Sequence, residues 1–256
     1  MIERHAVMML CFNQLHLTKD ALASVLAQDI GPLEILVVNN GSSDGTREWL
    51  DGLVNNADIY DSPHKLRISH HAQNQSPVAM GNHAAQMLWD WGHEKILILA
   101  NDVVLPANAY RLMNEWPRGI VCGSQTSEKE FPRVEDTHAV NECTPMAMCL
   151  LRKWVWDALI AKDGYYMDER YWNYASDCDW ALRVASCGIR GVQLDLPYYH
   201  YGSATLKLAP PDVEHEMRLQ ADADREFFVE KWGHAVDAYE YGRNATSVDF
   251  KGKARI

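Results

Sequence analysis

The sequence of 256 residues lacks the features that mark a secreted, membrane-spanning or zinc-stabilised protein. Its six cysteines include no CxxC pair, which excludes a structural zinc site, and we expect them to be reduced and mostly buried. No apolar run approaches the roughly 20 residues that span a bilayer. The apolar run 6–12 is too short for the core of a signal peptide. The sequence therefore predicts a cytoplasmic protein without an integral membrane segment.

Positive charge is also scarce, with 24 Lys and Arg against 35 Asp and Glu and a formal net charge of −11. Such a chain repels nucleic acids and anionic membranes unless a local basic patch overrides the total. The hydrophobic fraction of 47% and the charged fraction of 23% are typical of globular proteins and exclude a disordered chain. The sequence contains no internal repeat and no linker, which favours a single domain.

Two catalytic motifs are missing as well. A nucleotidyltransferase needs a glycine-rich phosphate loop soon after its first strand, but the segment after Phe12 contains no glycine before Lys19. The pair His215-Glu216 begins like the zinc-binding HExxH motif, but Leu219 stands where the second histidine would be. Both classes of enzyme are therefore excluded.

Short apolar runs alternate with segments of helical periodicity along the first half of the chain. We predict strands at 6–12, 33–38, 66–69 and 95–100, with helices at 17–28, around 49–54 and at 78–91. This order predicts an α/β fold with a mostly parallel sheet flanked by helices on both faces. The second half is less regular: we predict strands at 119–123 and 190–194, helices at 154–160, 178–187 and 213–232, and a loop at 124–144.

Polar residues follow the predicted strands of the first half. Ligands of open α/β sheets bind outside the carboxyl ends of the strands, so these residues are candidates for a binding site. They are Asn13, Asn39, Asn40, Asn74, Asn101 and Asp102. Asp102 is either a helix cap or a ligand for a divalent cation that neutralises a diphosphate.

Two further residues have open interpretations in the second half. Asp177 lies just before the predicted helix at 178–187, where it is either a cap or a general base. His200 follows a predicted strand and is either a packed histidine or a metal ligand.

Taken in order, these segments resemble family 2 glycosyltransferases with the GT-A fold, close to the rhamnosyltransferase-like branch. The resemblance covers about residues 5–233, and its most specific block is Asn39-Asn40-Gly41-Ser42-Ser43-Asp44-Gly45-Thr46. The other matching segments are Cys11-Phe12-Asn13, 24–28, 74–82, Ala100-Asn101-Asp102-Val103, Met167-Asp168-Glu169, Ser176-Asp177-Cys178-Asp179 with Leu182-Arg183, His200 with Ser203, and 227–233.

The resemblance implies one GT-A domain at 1–233, with a Rossmann-like nucleotide-sugar-binding half at 1–105 and an acceptor-binding and catalytic half at 106–233. A polar tail follows at 234–256. The implied reaction moves a sugar from a nucleoside-diphosphate sugar, UDP or dTDP above all, to an acceptor hydroxyl with inversion. Mn²⁺ or Mg²⁺ would stabilise the departing diphosphate.

The resemblance also implies roles for single residues. Asp177 corresponds to the catalytic base, and Asp102 and His200 correspond to positions that hold the metal. The donor-binding positions are Asn13, Asn39, Asn40, Asn74, Asn82, Asn101 and Asp102; the acceptor-binding positions are Asp168, Glu169, Tyr171, Trp172 and Asp179. Three positions depart from the family pattern: Asn39 and Ser176 replace acidic residues, and the metal motif is Ala100-Asn101-Asp102.

Alternatives remain for the acceptor. A glycan or a lipid-linked glycan is the family's usual acceptor. A hydroxymethylated pyrimidine in duplex DNA, as in phage enzymes, is an alternative if Lys129, Arg133, Arg152, Lys153, Lys207 and the cations of the tail form a basic surface. A GT-A module that binds nucleotide or glycan without catalysis is the second alternative.

Overall fold

The structure is a computed structural model that describes residues 5–54, 63–142, 147–202, 207–209 and 211–233. The predicted tail at 234–256, Cys143 and Ser203 lie outside these ranges. Within them, no helix combines the length and the apolar character needed to cross a membrane. The described cysteines are thiols rather than disulfides, and the predicted burial of Cys11 and Cys122 is confirmed.

The described strands form one sheet in the order β3-β2-β1-β4-β8-β6-β9-β5, with β7 beside β9. Their bounds are β1 His5–Cys11, β2 Leu33–Asn39, β3 Lys65–His70, β4 Lys95–Ala100, β5 Val103–Val104, β6 Ile120–Thr126, β7 Ala139–Asn141, β8 Met148–Arg152 and β9 Val192–His200. Among the described strands β5, β7 and β8 run against the other six, so the sheet is mostly parallel as predicted.

Helices lie on both faces of the sheet. They are α1 Leu15–Leu26, α2 Thr46–Val54, α3 Pro77–Asp90, α4 Ala109–Glu115, α5 Lys153–Asp163, α6 Ser176–Ser186 and α7 Pro211–Trp232. Alternate residues of β1 point to opposite faces, which divides the core into two clusters. Met8 packs with α3, α5, α6 and α7 on one face, and Met9 packs with α1, α2 and α4 on the other.

The parallel strands β3, β2, β1 and β4 end level with one another. All seven residues of β2 are buried, as expected for a parallel strand covered on both faces. The register pairs Cys11 with Asn39 and Asn39 with His70, so the chain leaves three neighbouring strands at the same edge. The candidate site residues that follow these strands are brought together by this register.

The second half of the sheet differs from the prediction at β8. Met148–Arg152 is an apolar run that runs antiparallel between β4 and β6, and no strand was predicted there. The run has five residues and continues directly into α5, so its periodicity does not distinguish a strand from the start of a helix. The predicted loop at 124–144 also contains the end of β6 and the short strand β7.

Candidate active site

Asn13 connects the end of β1 to the turn after β2. Its backbone N–H donates to Ser42 Oγ at 2.8 Å, and its side-chain Oδ1 accepts the N–H of Ser43, also at 2.8 Å. Asn13 has a φ of 52°, a left-handed conformation that asparagine tolerates better than most residues. The two loops therefore form a single hydrogen-bonded unit.

Asn39 and Asn40 are buried at the end of β2 and hold the loops on either side. Asn39 Oδ1 accepts the N–H of Ser42 at 3.1 Å, and its Nδ2 lies 3.0 Å from Nδ1 of His70. Asn40 donates from Nδ2 to Oδ1 of Asn74 and to the carbonyl of Gln75, and accepts the N–H of Gln75 at 3.0 Å. The exposed Asn74 is thus fixed at the same edge as Asn13.

Gly41 shows why this block of sequence contains glycine. Its φ is +78°, and a Cβ atom there would lie 2.4 Å from the backbone carbon of Gln73 and 2.5 Å from the backbone nitrogen of Asn74. The turn after β2 therefore packs against the segment after β3 backbone to backbone, which a side chain would prevent.

Asp44 is the acidic group of this unit. Partial burial disfavours its charge, but hydrogen bonds from Thr46 and from the N–H of Leu15 outweigh that cost and hold the pKa of Asp44 below its usual value. Asn13, Gln14, Leu15, His16, Lys19 and Asp44 together line an open concavity on this side of the sheet.

Asp102, two residues beyond the end of β4, lies close to His200 at the end of β9. The antiparallel pairing of β5 with β9 puts His200 opposite Val103, and His200 Nε2 lies 3.3 Å from Asp102 Oδ1. The other carboxylate oxygen of Asp102 accepts the N–H of Gly202 at 3.2 Å, and the Asp102 carbonyl accepts the N–H of Tyr201. Backbone contacts thereby orient the buried carboxylate toward the imidazole.

This pair fits a divalent cation as a partial ligand set. Adjacent ligands at about 2.1 Å from an octahedral ion are about 3 Å apart, close to the observed separation. A carboxylate with an imidazole suits Mn²⁺ and tolerates Mg²⁺. Within the described ranges, no group of three His, Cys, Asp or Glu side chains converges on one point, so further ligands would have to come from a bound substrate or water.

Asp177 lies in the first turn of α6 with an exposed carboxylate. Its Oδ1 accepts the N–H of Cys178 at 2.9 Å. Burial, together with the negative charge of Asp177, raises the pKa of the Cys178 thiol. The first turn of α6 thus carries an exposed carboxylate beside a thiol whose ionisation is disfavoured.

A chain of hydrogen bonds connects the loop before Asp177 to the strand ends. Gln75 binds Asn40, and Ser76, the next residue, donates from Oγ to the carbonyl of Trp172 at 2.7 Å. Trp172 belongs to the 164–175 loop, which joins α5 to α6 and contains no helix or strand. This loop leads directly into the turn that carries Asp177, so the chain before Asp177 is tied to the segment that binds Asn40.

Asn82 and Asn101, predicted to bind the donor, use their side-chain amides within the protein. Asn82 donates to the carbonyl of Met167 and to Glu169, both at 2.9 Å, and accepts the N–H of Met167. Asn101 donates to Thr18 Oγ1 at 2.9 Å and to the carbonyl of Asn13 at 3.3 Å. In this structure Asn82 therefore binds the 164–175 loop, and Asn101 binds the backbone of Asn13.

The five residues predicted to bind the acceptor divide into two groups. Trp172 is 37% exposed, and Glu169 is also exposed. Asp168, Tyr171 and Asp179 are at most 4% exposed, and Asp179 accepts hydrogen bonds from Trp232 Nε1 and Lys231 Nζ. Of the five residues, Trp172 and Glu169 are therefore the ones whose side chains are open to solvent in this conformation.

Sequence reasoning missed two residues of α7 that hold the 164–175 loop, Asp224 and Lys231. Asp224 is 2% exposed and accepts three backbone N–H groups of the loop, and Lys231 binds Asp168 at 2.7 Å. Their spacing could have identified them, because Asp224, Phe228 and Lys231 lie at i, i+4 and i+7 and therefore on one face of the helix. A charged residue on an apolar helix face predicts a buried polar contact.

The basic surface considered for a DNA acceptor does not form from its described members. Arg152 pairs with Lys95 at the beginning of β4, and Lys153 follows it, so both lie at the opposite end of the strand from Asp102. Arg133 is engaged by Asp29. Lys129 and Lys207 lie over the rings of Tyr199 and Tyr201, near His200.

The family model for glycosyl transferase family 2 matches residues 6–140, which is more than half of the chain. A comparison with curated proteins gives no match. The matched range contains the loop unit around Asn13 and Asn40 and also Asp102, whereas Asp177 and His200 lie beyond it.

Several solved structures have a similar fold. TarS from S. aureus superposes with a TM-score of 0.57 at 19% identity, covering 85% of this chain and 39% of TarS. TarS 1–349 in complex with UDP-GlcNAc gives a TM-score of 0.54 at 18% identity, covering 97% of this chain and 77% of that one. The mannosyltransferase PcManGT from Pyrobaculum calidifontis, in complex with GDP-Man and Mn²⁺, gives 0.55 at 16% identity, covering 85% and 60%. This chain thus spans well under two thirds of TarS and somewhat under two thirds of PcManGT, and the likeness establishes the GT-A fold.

Proposed function

The chain belongs to glycosyl transferase family 2 and is a glycosyltransferase with the GT-A fold, and from this premise we propose that it uses a divalent metal ion and inverts the sugar it transfers. The donor is a nucleoside-diphosphate sugar, and the acceptor is a hydroxyl group of a glycan or of a lipid-linked glycan. We place the chain in the rhamnosyltransferase-like branch because Ala100 and Asn101 precede Asp102 in the metal motif. The reaction takes place in the cytoplasm, consistent with the thiol state of the described cysteines.

The observation that carries this proposal is the approach of Asp102 to His200 at the carboxyl end of β4. These two residues would hold Mn²⁺ or Mg²⁺. When bound, the cation supplies Lewis-acid stabilisation of the diphosphate leaving group. Because Gly202 and Tyr201 fix the Asp102 carboxylate and backbone, the two ligands are oriented in advance of binding. TarS and PcManGT structures with UDP-GlcNAc or with GDP-Man and Mn²⁺ support the same use of a nucleotide sugar.

Donor binding is assigned to the loop unit at the ends of β1, β2 and β3. Asn13, Asn39 and Asn40 hold this unit together, and Asn74 is exposed beside it. We propose UDP or dTDP as the nucleotide because an asparagine carbonyl at position 39 can accept the N3 proton of uracil or thymine. The amide can also donate, so the same residue admits other bases.

Asp177 is the proposed general base. Its carboxylate removes the proton of the acceptor hydroxyl as that oxygen attacks the anomeric carbon and the bond to the diphosphate breaks. A single displacement of this kind inverts the configuration at the anomeric carbon. Trp172 offers an exposed aromatic face beside the base for a sugar ring, and Glu169 offers hydrogen-bond acceptors.

A glycan acceptor agrees better with the charge distribution than duplex DNA does. Two of the five described cations that DNA would need lie at the opposite end of β4, and Arg133 is paired with Asp29. Lys129 and Lys207 alone give too little positive charge near His200 to offset a net charge of −11.

The proposal is tested by incubating the protein with UDP-, dTDP-, GDP- and CDP-sugars, with and without MnCl₂, and measuring release of the nucleoside diphosphate into water. We expect release from one or two donors, dependent on the metal. Asp177→Asn should lower that release about 10²–10⁴-fold without changing nucleotide affinity. Asp157→Asn, an exposed carboxylate on α5, is the matched control and should match the wild type. Release that is equally fast without metal, or in Asp177→Asn, contradicts the assigned roles.

A further inference from the structure

The carboxylate of Asp224 is enclosed by three successive backbone amides. The N–H of Trp172 donates to Oδ1 at 2.8 Å, and those of Asn173 and Tyr174 donate to Oδ2 at 2.9 and 2.8 Å. Consecutive amides that converge in this way form a concave anion-binding site. In this protein the anion is a side chain of α7, 2% exposed, and Gln220 also donates to its Oδ1 at 3.3 Å.

The backbone next to this contact is strained. Ala175 has a φ of 58°, a left-handed conformation that is unfavourable for a residue with a Cβ atom. Strain of this kind persists only where the surrounding structure imposes it, and it is concentrated at functional sites. Asp224 binds the three residues that precede Ala175, so its carboxylate holds the chain where it enters this turn, together with the bond from Ser176 Oγ to the carbonyl of Asn173. Asp177 follows two residues later.

The same loop is fixed on its opposite side by α3. Ser76 Oγ donates to the carbonyl of Trp172, while the N–H of Trp172 donates to Asp224. The peptide group before Trp172 and the one after it are therefore bound to different helices. The backbone of Trp172, whose side chain is exposed, is therefore fixed from two directions.

We propose that Asp224 is a positioning residue of the transfer reaction: it orders residues 172–174 and thereby sets the place of Trp172 and of the base Asp177. This inference rests on the proposed function. A carboxylate suits the task because both oxygens accept, and hydrogen bonds to a charged acceptor are stronger than those to a neutral one. An asparagine would keep one acceptor and direct its amide group toward backbone N–H groups.

The test combines Asp224→Asn with amide hydrogen exchange, nucleotide affinity and metal-dependent hydrolysis of the donor that the wild type accepts. We expect exchange at residues 172–174 to accelerate at least about tenfold, because bonds to an ionised acceptor are lost. The hydrolysis kcat should fall about 10- to 100-fold, because the base is displaced. The Kd for the nucleoside diphosphate should stay within about twofold, because its site lies across the sheet edge.

Asp222→Asn is the matched control, since it makes the same change two residues earlier on α7 at an exposed carboxylate that pairs with Arg225. It should leave exchange, kcat and Kd unchanged. Gln220→Ala is a milder variant of the same contact and should shift exchange and kcat in the direction of Asp224→Asn, by less. If circular dichroism shows that Asp224→Asn is unfolded, Gln220→Ala tests the proposal in its place.

Unchanged exchange at 172–174 in a folded Asp224→Asn or Gln220→Ala protein would overturn the proposal, as would faster exchange with an unchanged kcat. A parallel loss of kcat and nucleotide affinity would indicate a general structural role and would also overturn it. Absence of hydrolysis in the wild type would count against the proposed function alone, because the exchange measurement still shows whether Asp224 orders the loop.

Discussion

The two sides of the site are held together by different kinds of contact. On the donor side, Asn13, Asn39 and Asn40 connect the loops through neutral hydrogen bonds between side-chain amides and backbone groups. On the proposed acceptor side, the 164–175 loop is held by charged side chains, above all the buried Asp224 and the partly buried Lys231 of α7. The first arrangement has low electrostatic cost, whereas the second is stable only while each charge keeps its partner.

The sheet explains the difference. Parallel strands with level ends bring the donor-side loops within hydrogen-bond distance of each other, so that small amides are sufficient. The 164–175 loop has no strand to fix it, and its twelve residues between α5 and α6 must be ordered by contacts from outside. Ionised side chains provide stronger bonds for that purpose than neutral ones do. Substitutions on the two sides should therefore differ in kind as well as in size.

The largest effect is expected where the two sides meet. Asp102 comes from the end of β4 and His200 from the end of β9, so the proposed metal ligands are shared between the halves. Asp102→Asn should lower metal-dependent donor hydrolysis about 10³-fold, equivalent to about 4 kcal/mol in the activation free energy. Steady-state kinetics across a Mn²⁺ titration measures it. A variant as active as the wild type at every Mn²⁺ concentration would show that Asp102 is not a ligand.

A large loss of stability is expected from Lys231→Met. Nζ of Lys231 lies 2.7 Å from Asp168 and 2.6 Å from Asp179, and Asp179 is fully buried, so the substitution leaves a buried carboxylate without its nearest cation. We expect the free energy of unfolding to fall by about 3–5 kcal/mol, measured by urea denaturation.

Lys65→Met is the comparison at an exposed ion pair, because Lys65 is 44% exposed and 3.4 Å from Glu34 at the amino-terminal ends of β3 and β2, away from the site. It should cost at most about 1 kcal/mol. Adding Asp179→Asn to Lys231→Met should recover part of the loss, since it removes the uncompensated charge. Equal losses for Lys65→Met and Lys231→Met would show that the ion pairs of Lys231 stabilise the protein no more than an exposed surface pair does.

The residues that follow the parallel strands could be predicted from the sequence more fully than the contacts of the 164–175 loop. Strands β1 to β4 and the positions of Asn13, Asn40 and Asp102 follow from local apolar runs and from the rule that ligands bind at the carboxyl ends of strands. The predictions of β1 to β4 and of the flanking helices α1 and α3 are confirmed to within a few residues. In this region the local sequence is sufficient to predict the structure, because each polar residue is placed by the apolar strand that directly precedes it.

The acceptor side depends on contacts that are distant in sequence. Asp224 binds residues about 50 positions earlier in the chain, and Lys231 binds Asp168 across 63 positions. A periodic pattern places Asp224 on the buried face of α7, but it does not identify the three backbone N–H groups that it binds. For the same reason the sequence did not show that Tyr171 and Asp179, two of the predicted acceptor-binding residues, are buried.

Alanine substitutions at two glycines should change the free energy of unfolding by a smaller amount and in opposite directions, which tests the backbone packing on the donor side. Gly41→Ala should lower the free energy of unfolding by about 2 kcal/mol or more and weaken nucleotide binding, because φ is +78° and the new Cβ would meet the backbone of Gln73. Gly52→Ala, inside α2 with no atom within 4 Å of the new Cβ, should raise it by about 0.5–1 kcal/mol. Thermal denaturation with and without UDP measures both changes. Similar effects at the two positions would show that the backbone contact at Gly41 is not required.

The last prediction concerns the loss of stability at acid pH, which distinguishes a carboxylate held by cations from one held by neutral hydrogen-bond donors. Burial disfavours the charge of Asp168, but Arg170 and Lys231 outweigh it and hold its pKa well below the usual value. A lowered folded pKa gives stability that is present above the unfolded pKa, about 4, and is lost as pH falls toward the folded pKa. The pKa of Asp44 is lowered as well, after the same opposition by burial, through hydrogen bonds from Thr46 and Leu15 rather than through cations.

We therefore expect both Asp168→Asn and Asp44→Asn to flatten the loss of stability between about pH 5 and pH 2, with the larger change for Asp168→Asn. Raising NaCl to about 1 M should shrink the effect of Asp168→Asn, because Arg170 is exposed and its attraction is screened, and should leave that of Asp44→Asn nearly unchanged. Urea denaturation at each pH and salt concentration measures this, with Asp157→Asn as the exposed control. Equal salt sensitivity of Asp168→Asn and Asp44→Asn would mean that cations do not distinguish the acceptor side from the donor side.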